Sequence, residues 1–351
     1  MDLRQFNTYK ILNHPEIIKE LMSRKNPFPV SCEIDPSNLC NHSCSWCYFV
    51  DSRQVNKKNL EKKVLFKLIA DLAKGKTKSI TFTGGGEPLV NPVTPEAIMR
   101  AYSLGMRVGL VTNGGLLNRG KNKIIVSCCD FVRVSLDAVD EESHNKLHNP
   151  RNSGVDNFEN ILTNLRMMVS LRKQLKKNIT IGVGFLIHKE NYKKLPRLAK
   201  RLKEIGIDYL QIRPIVMPQD NSLTRLWATA SKYIQKALNF SDNKFYVFPI
   251  DYRYHEMISK ERSYKCCNIH NLLGIVGADG NVYLCSLFRG DSRFSFGNLY
   301  SQSFRDLWMG AKRKKLIRSL DITKCPPCRY NRYNEILYYM LSKDKPHADF
   351  L

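Results

Sequence analysis

The chain has 351 residues, 56 Lys+Arg against 32 Asp+Glu, and a formal net charge of +24. With 43% hydrophobic and 10% aromatic residues, it has apolar material for a folded catalytic domain plus a smaller appendage, which excludes global disorder. No run reaches the roughly 18 consecutive apolar residues of a membrane span, and the opening MDLRQFNTYKILNHP lacks the apolar segment of a secretory signal.

Short β-branched runs at Val30–Ile34, Ser79–Phe82, Arg107–Val111, Phe131–Leu136, Thr180–Ile187 and Tyr209–Ile212 read as strands. Between them, Leu60–Leu72, Pro95–Leu104, Phe158–Leu175 and Tyr192–Ile205 have helical spacing. This alternation predicts parallel βα units, six in number and too few for eightfold closure. The expected fold class is therefore α/β, a partial (β/α)6 TIM-like barrel over residues 28–214 that follows an extension at 1–27. Residues 215–243 read as a linker that includes the polar and helical stretch Pro218–Asn239, and a second unit spans 244–351. In that unit GADGN, residues 277–281, separates Leu272–Val276 from Val282–Leu284, a hairpin signal. A helix at about Ser303–Leu320 then leads to Cys325-Pro-Pro-Cys328 and a last helical stretch, Asn331–Leu341.

Eleven cysteines in a chain without a secretory signal point to a reducing cytoplasm, where thiolates hold metal more often than they form disulfides. Residues 40–47 read CNHSCSWC directly after the first strand. Three thiolates on one loop can hold three irons of a [4Fe–4S] cubane and leave the fourth iron open. A zinc site is the alternative, and His42 is its nearest fourth ligand. Cys32, Cys128 and Cys129 read as buried structural thiols. His42, His144, His148 and His188 receive no role, whereas His270 is placed to hydrogen-bond a sulfur of the later cysteine group.

Cys40, Cys44, Trp46 and Cys47 resemble the hallmark of the radical S-adenosylmethionine (SAM) superfamily, and the resemblance continues at the later strand ends. Thr83-Gly84-Gly85-Gly86-Glu87-Pro88 is similar to that family's glycine-rich contact to the methionine amine. Thr112-Asn113-Gly114 and Ser135-Leu136-Asp137 resemble its ribose and carboxylate contacts. Gly184 and Phe185 resemble the segment that brackets adenine, while Gln211 and Arg213 end strand six toward the same cavity. Arg213 is the candidate catalytic-site anion contact; binding cofactor or pairing with Glu87 are the alternatives for it. The resemblance implies reductive cleavage of S-adenosylmethionine to a 5′-deoxyadenosyl radical, which takes hydrogen from a substrate C–H bond.

The later cysteines, Cys266-Cys267, Cys285, Cys325 and Cys328, resemble the abbreviated auxiliary-cluster domain called twitch, a relative of SPASM. The resemblance implies one auxiliary [4Fe–4S] cluster held by four thiolates, with Cys267 preferred over Cys266 and a four-cysteine zinc site as the alternative. The expected function is oxidoreductase chemistry that dehydrogenates an anionic small molecule and draws electrons from a flavodoxin- or ferredoxin-type donor. Alternatives are maturation of a ribosomally made peptide, nucleotide cyclisation as in molybdenum-cofactor assembly, or a non-enzymatic, zinc-stabilised basic binder. Basic residues crowd Lys193–Lys203 and Lys312–Arg332, yet neither forms a recognisable nucleic-acid module, so nucleic acid is not an expected partner.

Overall fold

The computed structural model describes residues 7–49, 57–215, 222–252, 254, 256 and 262–345. Residues 216–221, in the expected linker, lie outside the described residues. A short helix α1 (Pro15–Met22) precedes β1 (Ser31–Ile34). The strands β2 (Ser79–Phe82), β3 (Arg107–Thr112), β4 (Phe131–Ser135), β5 (Thr180–Leu186) and β6 (Tyr209–Arg213) follow in parallel, each paired with the one before. Helices α2 (Lys62–Lys74), α3 (Thr94–Ser103), α4 (Arg119–Cys128), α5 (Glu141–His148), α6 (Phe158–Gln174) and α7 (Leu195–Ile205) make the crossovers.

Two of these helices, α4 and α5, are absent from the hydrophobic pattern because their sequences, RGKNKIIVSC and EESHNKLH, are mostly polar. The α5 start is instead fixed by a capping box, in which Asp140 accepts from the Ser143 amide at 3.0 Å while Ser143 Oγ accepts from the Asp140 amide at 3.1 Å. After α8 (Ser222–Leu238) the sheet runs one strand further than expected. β7 (Tyr246–Pro249), which begins two residues after the expected start of the second unit, pairs in parallel with β6.

Strand alternation divides the barrel into two environments. Ile34, Phe82, Val132, Val134, Ile181, Val183, Phe185, Leu210 and Ile212 are fully buried in one apolar core with the helices. The intervening positions, Glu33, Arg133, Ser135, Gly184, Gln211 and Arg213, face the barrel interior and carry the polar chemistry.

The expected hairpin forms between β8 (Leu273–Val276) and β9 (Asn281–Tyr283), with Gly280 at φ 80° in the left-handed region. Here β8 pairs in parallel with β1, and β9 pairs with β10 (Ser295–Asn298), giving one ten-stranded sheet of order β10-β9-β8-β1-β2-β3-β4-β5-β6-β7. The single helix expected at 303–320 divides at Gly310 into α9 (Phe304–Met309) and α10 (Ala311–Ser319), and α11 (Asn331–Leu341) lies where the sequence places it. Among the described residues, no helix is long and apolar enough to cross a membrane.

Trp308 fastens this end of the chain. It is 1% exposed, its indole N–H donates to the Pro27 carbonyl at 2.7 Å, and the Arg313 guanidinium lies 3.8 Å from its ring centroid. Arg313 in turn donates to Asn26 Oδ1 at 2.8 Å and to the His270 carbonyl at 2.9 Å. Trp308→Ala should cost about 3–5 kcal/mol, since it opens a cavity, leaves the Pro27 carbonyl without its donor and removes the ring under the Arg313 guanidinium. Anaerobic denaturant unfolding of the reconstituted protein measures this as a lower midpoint.

Candidate active site

Cys40, Cys44 and Cys47 line a cavity of about 400 Å³ at the carboxyl ends of the barrel strands, a volume in the small-molecule range. Their loop is held from outside itself. Ser43 donates its amide to the His148 carbonyl at 3.0 Å, Ser45 to Leu147 at 3.4 Å, and the Arg151 amide donates back to Asn41 at 2.9 Å. The end of α5 and the residues after it therefore shape the loop.

N–H groups surround the sulfurs. The His42 amide donates to Cys40 Sγ at 3.4 Å, Asn113 Nδ2 approaches the same sulfur at 3.8 Å, and His148 Nδ1 lies 3.4 Å from Cys44 Sγ. Such donors favour thiolates, and three thiolates on one loop beside a cavity fit an iron–sulfur cluster with an open iron.

Of the cofactor residues expected from the sequence, Trp46, Gly85, Gly86, Glu87, Asn113, Ser135 and Asp137 line this cavity, and so does Arg213, the expected anion contact. Glycine at 86 is required by the protein itself, because a Cβ there would sit 2.2 Å from the Leu39 carbonyl oxygen. At Gly85 a Cβ would find ordinary contacts from 3.6 Å, so the cradle there has room toward the cavity. The Glu87 carboxylate is buried and accepts from Thr112 Oγ1 at 2.7 Å, the Asn113 amide at 2.7 Å and the Leu89 amide at 3.0 Å. Burial nevertheless pushes its pKa up. These three donors take the place of the Arg213 pairing considered from the sequence.

Asp137 is likewise buried and pushed up to about 6 by desolvation, against the opposing pull of the Leu186 amide, Arg213, Trp46 and Arg133. Its Oδ1 accepts from Leu186 at 2.7 Å.

Three expected residues lie elsewhere. Phe185 faces the helices and is fully buried in the apolar core, because it falls one residue out of phase with the interior-facing glycines of β5, so it does not bracket a ligand in the cavity. Gly184 does face the interior, but what its missing Cβ admits is protein: that position lies 3.0 Å from Arg213 Nη2 and 3.3 Å from Arg133 Cδ. Gln211 accepts from Arg133 Nη1 at 3.3 Å and lines a second cavity of about 260 Å³ with Phe248, Tyr252 and Arg329.

The later cysteines also converge. Cys267 is pushed up to about 12 by burial and then by Cys285 and Cys328, and Cys285 to about 11 by burial with Cys328 and Cys325 adding to it. Buried thiols whose ionisation is opposed by neighbouring thiols are relieved by a bound cation, which fits a metal cluster. Cys328 also lines the main cavity. Cys266 is exposed. The main-chain amide of His270, rather than its ring, reaches the Cys267 sulfur. Cys32 and Cys129 are buried, while Cys128 is half-buried.

Sequence reasoning missed two groups. One is an imidazole cluster, in which His42 and His144 lie 5.1 and 5.0 Å from His148 by ring centroids and His42 Nε2 is 2.8 Å from Asp156. Burial and the other two imidazoles hold His148 well below the usual histidine range. The i, i+4 spacing of His144 and His148 was its only signal. The other is the arginine lining, Arg133, Arg289 and Arg329, of which Arg133 shares a strand face with Ser135 two residues on.

The radical SAM superfamily matches residues 34–202, and an iron–sulfur cluster-binding SPASM domain matches 266–330. A tungsten-containing aldehyde ferredoxin oxidoreductase cofactor-modifying protein of Pyrococcus furiosus is 24% identical over 78% of this chain and 79% of its own. The Fe-coproporphyrin III synthase of Methanosarcina barkeri is 24% identical over 83% of this chain and 78% of its own. By fold, the chain is similar to Streptococcus suis SuiB bound to precursor peptide SuiA (TM-score 0.64, 16% identity, 90% of this chain and 72% of that one). It is also similar to anSMEcpe with bound AdoMet (TM-score 0.59, 18% identity, 90% and 91%). The iron–sulfur match decides against the zinc alternatives. With its barrel, its cysteine loop and its second cysteine group, the chain belongs to the radical SAM superfamily as an S-adenosylmethionine-dependent enzyme with a SPASM/twitch-type iron–sulfur domain.

Proposed function

We propose that this enzyme dehydrogenates an anionic small molecule: one hydrogen atom would pass to the radical derived from S-adenosylmethionine, one electron to the auxiliary cluster, and the second hydrogen would leave as a proton to solvent. The observation that carries the reading is the convergence of Arg133 and Arg213 from the barrel with Arg289 and Arg329 from the carboxyl-terminal part on one cavity. Two relatives aligned over 78% and 83% of the chain are named for modifying a cofactor and for making Fe-coproporphyrin III, which sides with small molecules.

In this reading Cys40, Cys44 and Cys47 hold the open cluster, and Cys267, Cys285, Cys325 and Cys328 hold the auxiliary one. Trp46, Gly85, Asn113, Ser135 and Asp137 receive S-adenosylmethionine, with Gly86 and Glu87 supporting them from behind. When bound, these cofactors supply a hydrogen-atom acceptor at the cavity and a one-electron acceptor beside it, and a reduced flavodoxin- or ferredoxin-type protein restores the first electron.

The chain's own work is binding, orientation and exclusion of water. Arg133 and Arg213 approach each other over Gly184 and present adjacent guanidinium groups, a fork suited to carboxylate or phosphate. Arg289 is committed to Glu33 at 2.6 Å and lies 3.4 Å from Asp35, so it shapes the wall. Trp46, Leu147 and Ile215 form a buried apolar cluster beside the cysteines, which shields the reacting region from water.

Anaerobic incubation with carboxylated and phosphorylated small molecules tests the reading. 5′-Deoxyadenosine and a product two hydrogens lighter should form together, and a product isobaric with its substrate overturns the oxidation. SuiB, a neighbour by fold, has been solved with a precursor peptide, so peptides belong in the same assay; turnover with peptides alone replaces this reading with peptide maturation. Arg213→Ala should lower kcat/KM for the anionic substrate by about 10–100-fold through loss of a charge-assisted contact, with part regained in Arg213→Lys.

Iron analysis tests the ligand set. Cys266→Ala should keep the wild-type iron content, whereas Cys267→Ala should lose about four irons per chain.

A further inference from the structure

We propose that His148 sets the reduction potential of the cluster at Cys40, Cys44 and Cys47 by donating an imidazole N–H to the Cys44 sulfur. The proposal rests on the assignment of those three cysteines as cluster ligands.

The direction of the hydrogen bond follows from the ring's other nitrogen. His148 Nε2 lies 3.0 Å from the main-chain amide of Asp137, and a main-chain amide can only donate. Nε2 is therefore the acceptor and carries no hydrogen, which leaves the ring's N–H on Nδ1. That atom is 3.4 Å from Cys44 Sγ.

The ring has little freedom to turn away. His148 is 2% exposed and packs against His42, His144 and Trp46 at centroid distances of 5.1, 5.0 and 5.9 Å. Its own carbonyl accepts the Ser43 amide at 3.0 Å, one residue before Cys44. Donor and sulfur are thus positioned by the same piece of backbone.

Hydrogen bonds to cluster sulfurs tune the potential because an N–H dipole stabilises the more negative, reduced state more than the oxidised one. His148 is a positioning and tuning residue. It also ties the cluster loop to the exit of β4, where Asp137 borders the cavity.

The test is an EPR-monitored redox titration of the anaerobically reconstituted full chain without substrate. The relevant cluster is identified as the one whose signal changes when S-adenosylmethionine is added to a parallel sample. His148→Leu should move its midpoint negative by at least a tenfold change in the reduction equilibrium, about 59 mV for one electron. His148→Gln, which can still offer an N–H, should fall between. An unchanged midpoint in His148→Leu with wild-type iron content overturns the proposal.

Should the variants fail to hold iron, the wild-type chain labelled with ring-15N histidine decides by pulsed EPR. A 15N coupling to the reduced cluster supports the donor, and its absence overturns it. Persistence of the S-adenosylmethionine-responsive signal in Cys44→Ala would instead refute the ligand assignment, which keeps the two failures apart.

Discussion

The cysteine loop of this enzyme is held from a distant part of the chain. It contains no regular secondary structure, and its main-chain groups at Asn41, Ser43 and Ser45 find their partners at Arg151, His148 and Leu147, across more than a hundred residues of sequence. These contacts tie the loop to the end of α5 and the residues after it, which set its geometry. That helix is polar and short, and it is fixed by the capping box at Asp140. Three sulfurs, a histidine ring and the end of β4 are therefore set in register by one short capped helix, and the rest of the cavity is arranged around them.

A second arrangement fixes the opposite wall. Glu33 faces inward from β1, where Arg289 reaches it at 2.6 Å, Tyr330 Oη at 3.1 Å and Arg329 at 3.6 Å. Those three residues come from the segments that carry Cys285 and Cys328. Buried charges require close partners, so the carboxylate on the first strand and the arginines of the iron–sulfur part constrain one another. The cavity lies between these two fixed walls, with cysteine thiols on both.

Much of this was legible in the sequence wherever the hydrophobic period was strong. The six expected strands all form within about two residues of their expected limits, and the cysteine spacing and glycine-rich turn marked the cavity. The failures have identifiable causes. Polarity hid α4 and α5, and β7 was obscured by the polar stretch before it. The Gly310 break reads in sequence as a tolerated helix residue, although a Cβ there would sit 2.9 Å from the Asp306 carbonyl oxygen. Phe185 follows Gly184 on one strand, and because residues one apart on a strand face opposite sides, only one of the two can reach a ligand in the barrel. The histidine cluster and the three arginines that join Arg213 were missed for a different reason: each group assembles residues from separate segments, and only the fold brings them together.

The pairing of β8 with β1 bears on how such an enzyme can be divided. The iron–sulfur part is hydrogen-bonded along the whole of the first barrel strand, from Ser31 opposite Leu273 to Ile34 opposite Val276. A truncation that keeps the barrel but removes the carboxyl-terminal third would leave β1 with a bare row of amides and carbonyls, the kind of edge that recruits another chain and aggregates. Exchanging this appendage for another, in a laboratory or over evolutionary time, demands a replacement that brings its own strand.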